Sequence, residues 1–222
     1  MRIIGTSHIA RQSINDINRN FSEFDPDIVC VELDHKRLHA LLTNAKPDYS
    51  LAGIKRYGLQ GYLFAVIAGI LQKKLGNVVG IKPGADMLTA INLARDNTKQ
   101  LMLIDQDIEV TLKKFSKEFT FKEKIRLLWD IIKSPFSKKM KINLNEVPKE
   151  KLIHELMKQL KDSYPSLYNV LITERNAVMA KNIYKIMEKN PEKKVMVIIG
   201  AGHEAEMFQL IKKEEYKRDK IY

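Results

Sequence analysis

The stretch Val195-Met196-Val197-Ile198-Ile199-Gly200-Ala201-Gly202-His203 decides the fold of this chain. Its five apolar, mostly β-branched residues predict a fully buried strand. The strand is expected to enter a glycine-flanked turn that ends on His203, before a short helix that starts at Glu204. The chain opens in the same way, with Ile3-Ile4-Gly5-Thr6-Ser7-His8. A Gly-x-x-His motif therefore follows a predicted strand near each end of the chain.

Two further apolar runs complete the predicted sheet. Residues 28–31 form a buried strand that ends on Glu32, and residues 101–104 form a fourth strand that is followed by Asp105. A short helix capped by Ser13 links the first two strands, and such a crossover implies that they are parallel. The pattern predicts an α/β fold, with a mixed and mostly parallel sheet flanked by helices and a helical insertion in the middle of the chain.

The order of strands and helices predicts a single domain over residues 1–222. It divides into an α/β core and helical insertions, with the core at about 1–48, 77–112 and 163–210 and the insertions at about 50–75 and 113–161. The second insertion is rich in lysine, in a chain whose formal net charge is +11. This excess is typical of a solvated helical surface, or of one that contacts anionic lipid or an acidic partner. No nucleic-acid motif accompanies the charge, so specific nucleic-acid binding is not expected.

The composition is that of a globular protein from a reducing compartment. Of the 222 residues, 45% are hydrophobic and 29% are charged. Cys30 is the single cysteine, so no disulfide framework can form and a cytoplasmic location is predicted. The longest apolar run, residues 61–71, is shorter than the about 20 residues that span a bilayer. This run and the amphipathic helices of residues 106–161 offer more apolar surface than a small core hides, which predicts a homodimer.

Three polar side chains follow the predicted strands and are expected to share a site. Residues just beyond the carboxyl ends of strands in an open α/β sheet converge in one crevice, which would unite His8, His203 and Glu32. Neutral imidazole is the commonest metal ligand and the usual general base near neutral pH. Glu32 should be buried, and a buried carboxylate is costly unless it is paired or binds a cation. The alternatives are ordinary loop histidines and an internal salt bridge from Glu32 to an arginine.

Arg175 lies near the centre of the apolar face of a helix predicted from about Ser166 to Glu188. A guanidinium group stays charged, so at that position it must meet an anion or the carbonyl of a ligand. The alternative is a structural ion pair with Glu32 or Asp105. Charged or amphipathic surroundings predict solvent-facing side chains at five other positions, namely Asp34, His35, Arg37, His39 and His154.

These residues stand in motifs that together resemble the TraB/PrgY family, which is related to the TIKI proteases. The motifs occur in the family's order from residue 3 to about residue 210. They are Gly5-Thr6-Ser7-His8, Val31-Glu32-Leu33-Asp34 with Arg37, Pro83-Gly84-Ala85-Asp86-Met87, Leu103-Ile104-Asp105-Gln106-Asp107-Ile108 with Thr111-Leu112, Glu174-Arg175-Asn176 with Met179, and Gly200-Ala201-Gly202-His203. The family's defining set is two Gly-x-x-His motifs, a glutamate and an arginine. It carries over to His8, His203, Glu32 and Arg175.

The resemblance implies a core similar to those of erythromycin esterases and ChaN-like haem-binding proteins, and a metal-dependent hydrolase that cleaves peptide bonds. His8, His203 and Glu32 would hold a divalent cation, either manganese, cobalt or zinc. In a variant of this mechanism Glu32 acts as the general base, since two histidines are few for zinc. Arg175 would stabilise the developing oxyanion. The remaining residues expected around the cofactor are Gly5, Gly200, Gly202 and Asp105.

A second function is compatible with the same resemblance. The crevice would bind a peptide or haem without turnover, in a module that sequesters its ligand. Many relatives continue into hydrophobic membrane segments, so this module would be the soluble part of a membrane-anchored regulator of peptide signalling. Gln106 stands where the family often has arginine, so no role is carried over to that position.

Overall fold

The computed structural model describes residues 1–6, 11–43, 45, 54–55, 57–58, 61–62, 84–133 and 150–219. Four strands form one sheet in the order β1-β4-β2-β3, and every neighbouring pair is parallel. The strands are β1 (Arg2–Thr6), β2 (Ile28–Val31), β3 (Gln100–Leu103) and β4 (Val195–Gly200). The predicted α/β class is confirmed, and the four strands lie where the apolar runs placed them.

The described helices connect and cover the strands. They are α1 (Arg11–Phe24), α2 (His35–Thr43), α3 (Ala85–Asp96), α4 (Ile108–Glu118), α5 (Phe121–Lys133), α6 (Glu150–Ser163), α7 (Pro165–Tyr168), α8 (Glu174–Lys189) and α9 (Ala201–Asp219). A single π-helical turn, Asn169–Thr173, joins α7 to α8. The insertion predicted at 50–75 lies largely outside the described residues, and the division into core and insertions stays a prediction.

The sheet is buried on both faces because β4 and β2 carry continuous apolar runs. All residues of β2 and β4 are buried. On one face Val197 and Ile199 pack with Met179 and Ile183 of α8 and with residues of α9. The opposite face packs against α1 and α3 through a second group of side chains, Ile4, Val29, Met196, Ile198, Ile17, Phe21, Met87 and Ile91. The result is a three-layer arrangement in which both edges of β4 are paired, so its carboxyl end is held rigidly.

Three local predictions are wrong. Ser13 was expected to cap α1, but the helix begins at Arg11 and Ser13 is buried within its first turn. No turn separates β4 from His203, because α9 starts at Ala201. That helix runs to Asp219 rather than forming a short segment from Glu204. Both helices are therefore longer than the local sequence signals predict.

Two surface features bear on the partner predictions. Helix α5 exposes Phe121, Ile125 and Trp129, which are four residues apart and so lie on one side of the helix. His35, His39 and His154 are exposed, as expected. Among the described residues there is no helix with the length and apolar character needed to cross a membrane.

Candidate functional site

The carboxyl edge of the sheet brings three of the predicted side chains together. Glu32 directly follows β2, Asp105 lies just beyond β3, and His203 stands in the first turn of α9 after β4. Arg175 reaches them from the first turn of α8. His8 lies outside the described residues, so its convergence with His203 stays a prediction.

Glu32 is buried, as the sequence predicts, and it is 5% exposed. Its Oε2 accepts a hydrogen bond of 2.5 Å from the backbone N–H of Gly200 at the end of β4. Its Oε1 accepts a hydrogen bond from Nη2 of Arg175. The carboxylate is therefore held in one orientation by a backbone donor on one oxygen and a guanidinium on the other.

Four of the five N–H groups of Arg175 donate to oxygen atoms within the described residues, and the fifth faces the ring of His203. Nε donates to Oδ1 of Asp105 at 3.1 Å, and Nη2 donates to Oδ2 of Asp105 at 2.5 Å and to Glu32. Nη1 donates to the carbonyl oxygen of Leu171 at 3.1 Å and lies 3.4 Å from Nε2 of His203. Burial by itself would lower the pKa of Arg175, but Glu32 and Asp105 outweigh it and raise the pKa. Both structural ion pairs left open by the sequence are present.

Asp105 is shared between two arginines. Nη2 of Arg37 also donates to Oδ2 of Asp105, whose side chain is fully buried. Burial by itself would raise the pKa of Asp105, but the positive charges of Arg175 and Arg37 outweigh it and the pKa is lowered. Asp105 therefore stays ionised at neutral pH and links α2 to α8.

Asp34 and Arg37 are not the solvent-facing pair that the sequence suggests. The Asp34 side chain is only 6% exposed, and it accepts from Nε of Arg37 at 2.7 Å. It also accepts from the backbone N–H groups of Lys36 and Arg37 at the start of α2 and of Ile108 at the start of α4. Asp34 thus ties two helix N-termini to the site, which local sequence patterning does not reveal because the second helix is 74 residues away.

His203 belongs to a chain of hydrogen bonds that the sequence analysis missed. Its Nδ1 lies 2.5 Å from Oδ1 of Asn176, which is fully buried. Nδ2 of Asn176 donates to Oε2 of Glu206 at 3.0 Å, and the hydroxyl of Tyr168 donates to Oε1 of Glu206 at 2.7 Å. Only Asn176 of these three partners stands in a quoted motif, directly after Arg175. Its neutral side chain carries no signal that could have marked it.

Glu32 and His203 present two possible ligand atoms to one point. Oε1 of Glu32 lies 3.3 Å from Nε2 of His203, close to the separation of about 3.4 Å between two ligands in a tetrahedral zinc site. The surrounding cluster has three carboxylates, on Glu32, Asp34 and Asp105, against the guanidinium groups of Arg37 and Arg175. That excess of negative charge favours a cation.

The described residues supply only part of a metal site. Among them, and therefore without His8, no group of three or more His, Cys, Asp or Glu side chains is arranged to hold a metal ion. Arg175 also contacts both candidate ligand atoms. Glu32 and His203 therefore offer two possible ligand atoms that Arg175 contacts in this structure, and the ligand set with His8 stays a prediction.

The glycines of the two motifs differ in the space around them. A Cβ on Gly5 would overlap Oε2 of Glu204 and lie 3.2 Å from Cα of Ala201. Among the described residues, a Cβ on Gly202 would meet the flexible side chain of Met157, with Sδ at 3.3 Å. Gly5 therefore lets α9 approach the end of β1. The cofactor contacts expected of these glycines stay a prediction.

Comparisons with known proteins agree with the motifs. The model of the TraB/PrgY/gumN family matches residues 1–218. The chain is 32% identical over 222 residues to an uncharacterized protein of Methanocaldococcus jannaschii, covering 98% of this chain and 54% of that protein. It is 24% identical over 190 residues to the human TraB domain-containing protein, covering 80% of this chain and 50% of that protein. The chain spans about half the length of these curated relatives. Since the family model covers nearly all of it, the chain belongs to the TraB/PrgY/gumN family.

Proposed function

We propose that this chain is a metal-dependent hydrolase that acts on peptide bonds, with His203, Glu32 and the predicted His8 as ligands of a divalent cation. The supporting observation is the pair of buried atoms, Nε2 of His203 and Oε1 of Glu32, held 3.3 Å apart at the carboxyl edge of the sheet. A bound divalent cation supplies Lewis acidity toward water and toward a carbonyl oxygen. Manganese, cobalt and zinc are the candidates.

The chain's own residues have distinct tasks in this proposal. Glu32 is oriented by Gly200 and Arg175, and in the variant in which it is not a metal ligand its carboxylate accepts a proton from the attacking water. Arg175 stabilises the oxyanion that develops on the substrate. Its longest contact is the 3.4 Å approach of Nη1 to His203, so this N–H is the donor most easily redirected to substrate. The bonds from Nε and Nη2 to Asp105 keep the guanidinium in place meanwhile.

The test measures metal binding and turnover in the same samples. After EDTA treatment and gel filtration, the protein is supplied with Mn²⁺, Co²⁺ or Zn²⁺, and its melting temperature and cleavage of a fluorescently labelled unfolded protein are recorded. We expect one of the metals to raise the melting temperature and to restore cleavage. His8→Ala, His203→Ala and Glu32→Gln should each abolish both effects.

His154→Ala is the matched control, because His154 is an exposed histidine on α6 that takes no part in the hydrogen bonds described for the cluster. It should bind metal and cleave like the wild-type protein. His203→Ala leaves the buried Oδ1 of Asn176 without its partner, which costs about 1–3 kcal/mol of stability, so its metal response is judged against its own metal-free melt. A wild-type protein that ignores all three metals and cleaves nothing would end the proposal.

A second function is supported by the contacts of Arg175. Four of its five N–H groups already donate to protein oxygen atoms within the described residues, which leaves few donors for a developing oxyanion and suits a rigid binding site. In this alternative the crevice binds a peptide without cleaving it. Retention of labelled peptide with no product would support it over hydrolysis, and a haem absorption band after loading would identify haem as the ligand.

The predicted homodimer, the lipid contact through residues 113–161 and the cytoplasmic location stay proposals. The exposed side of α5 with Phe121, Ile125 and Trp129 supports an association surface. Light scattering at micromolar concentration tests the dimer, and flotation with anionic vesicles tests the lipid contact. A monomer that stays at the bottom of the gradient would contradict both.

A further inference from the structure

We infer that Asn176 is a positioning residue that, held by Glu206 and Tyr168, fixes the His203 ring in the tautomer with a proton on Nδ1 and none on Nε2. The inference deepens the proposed function, because it concerns the imidazole proposed as a metal ligand. It rests on the proposed function only for the identity of the group that Nε2 binds. The inference follows from donor and acceptor matching along four buried or half-buried side chains.

The matching starts at Glu206. An ionised carboxylate can only accept hydrogen bonds, so the group of Asn176 that lies 3.0 Å from Oε2 of Glu206 must be its NH₂. The hydroxyl of Tyr168 donates to the other carboxylate oxygen, which keeps Glu206 from rotating. The amide oxygen of Asn176 therefore faces the imidazole at 2.5 Å. A carbonyl oxygen is an acceptor, so Nδ1 of His203 must carry the proton.

The other side of the ring is compatible with this assignment. Nη1 of Arg175 lies 3.4 Å from Nε2 of His203, and a guanidinium can only donate. A proton on Nε2 would therefore meet another donor, and a doubly protonated ring would place a second positive charge against Arg175. Oε1 of Glu32 lies 3.3 Å from Nε2 and is the one acceptor among these contacts, although it also accepts from Arg175. The matching through Asn176 therefore carries the assignment, and the approach of Arg175 favours the lone pair on Nε2.

The π-helical turn explains how Tyr168 and Asn176 reach the same carboxylate. In an uninterrupted α-helix at about 100° per residue, positions eight apart point about 80° away from each other. The turn Asn169–Thr173 lies between them and adds one residue to the spiral, which brings their directions to within about 20°. Both side chains then face α9, where Glu206 offers one oxygen to each.

The consequence is that Nε2 of His203 is available as a metal ligand or a base. A neutral ring whose Nδ1–H is held by an acceptor presents Nε2 as a ligand or base without any proton transfer beforehand, and the held ring cannot flip. Burial and hydrogen bonding to Glu206 raise the pKa of Tyr168 to about 12. Its hydroxyl therefore stays a donor throughout the neutral range.

The test reads the tautomer directly. ¹⁵N chemical shifts and ring couplings of His203 are measured by NMR near pH 8, in the protein as purified and again after EDTA. The five histidines are assigned with single His→Gln variants. We expect protonated Nδ1 and unprotonated Nε2 in the wild-type protein, and a mixture of both tautomers in Asn176→Ala. A wild-type ring protonated at Nε2, or an Asn176→Ala ring that keeps the Nδ1–H form alone, would overturn the inference.

A donor–acceptor exchange provides the rescue. Asn176→Asp alone sets a carboxylate against Glu206 and should lower the melting temperature. Asn176→Asp combined with Glu206→Gln reverses the pair, so that the introduced amide donates to the introduced carboxylate, which still accepts from Nδ1 of His203. The double variant should regain the melting temperature and the Nδ1–H tautomer. A double variant protonated at Nε2 would contradict us even if Asn176→Ala does not fold.

Asn182→Ala is the matched control. Asn182 lies on the same helix and donates at 2.9 Å to the carbonyl oxygen of Ile104, so its loss removes a hydrogen bond without touching His203. It should leave the tautomer unchanged, and a change as large as that in Asn176→Ala would show a merely structural effect and overturn the inference. A protein with the Nδ1–H ring that binds no metal and cleaves nothing keeps this inference and refutes the hydrolase, so the two outcomes are separable.

Discussion

Different kinds of interaction hold the two sides of the site together. On one side the charged cluster, made of Glu32, Asp34, Arg37, Asp105 and Arg175, consists of ion pairs with one carboxylate in excess. On the other side the neutral chain, made of His203, Asn176, Glu206 and Tyr168, consists of single hydrogen bonds with one charged member. The charged cluster stabilises the junction of β2, β3 and α8, because each buried charge needs its partner. The neutral chain contributes less stability and instead decides where one proton lies.

The largest effect is expected from breaking the charged cluster at its centre. Arg175→Met removes the guanidinium that pairs with both Glu32 and Asp105. Removal of one partner from a buried ion pair costs about 3–5 kcal/mol of folding stability. Glu32→Leu should cost less, because Arg175 keeps both bonds to Asp105. Urea denaturation of the two single variants and the double variant measures this.

The double variant tests the same pair more sharply. Glu32→Leu with Arg175→Met should be less destabilised than the sum of the two single variants, since the pair is removed together. Recovery should remain incomplete because Asp105 then has only Arg37 among the arginines of the cluster. Additive losses would contradict the ion-pair description of this half of the site.

A smaller effect is expected from Asp105→Asn, and it should depend on pH. The pKa of Asp105 in the folded protein is lowered from 3.8, so its contribution to stability is present above about pH 4 and is lost as the pH falls through the lowered pKa. Folding free energies measured from pH 7 to pH 2 should therefore converge for the wild-type protein and the variant in acid.

Asp96→Asn is the control for that measurement, because the Asp96 side chain is 62% exposed. Its difference from the wild-type protein should stay small across the same range. A constant gap between Asp105→Asn and the wild-type protein from neutral to acid pH would show that Asp105 acts through shape rather than charge.

The smallest effect is expected in the neutral chain, from Tyr168→Phe. Loss of one hydrogen bond to Glu206 costs about 0.5–1.5 kcal/mol. The pKa of Tyr168 is raised to about 12 from 10.0, so its contribution is complete below pH 10 and is lost as the pH rises toward 12. The variant should therefore lose stability less steeply than the wild-type protein in alkaline denaturation.

Tyr164→Phe is a matched comparison for that variant. Burial and Asp130 raise the pKa of Tyr164 to about 12 as well, but Tyr164 contacts Asp130 rather than Glu206. Both variants should lose folding stability less steeply than the wild-type protein as the pH rises. Only Tyr168→Phe should give a mixture of His203 tautomers. Equal changes of the His203 tautomer in Tyr168→Phe and Tyr164→Phe would show that Tyr168 has no specific role in holding the ring.

The sequence by itself determined the sheet, the burial of Glu32 and the importance of Arg175. Long apolar runs leave few options other than buried strands, and a charge inside such a run or on an apolar helix face must find a partner. The strand positions follow from that energetic pressure, whereas the Glu32–Arg175 pair was one of the alternatives that it left open. The family motifs then marked the same residues, and the family match covers all of them.

Only the tertiary structure decided the roles of Asp34, Asn176, Glu206 and Tyr168. Asp34 looked like the polar start of a surface helix, but the N-terminus of α4 covers it. A neutral or half-buried polar residue can be placed in many environments at little cost in free energy. Its position in the sequence therefore says little about its hydrogen-bond partners. The π-helical turn also changes which side chains share a face, and a period of 3.6 residues cannot foresee it. A charged residue in an apolar stretch can therefore be recognised from the sequence, whereas the donor and acceptor of a hydrogen bond between distant elements are known only from the tertiary structure.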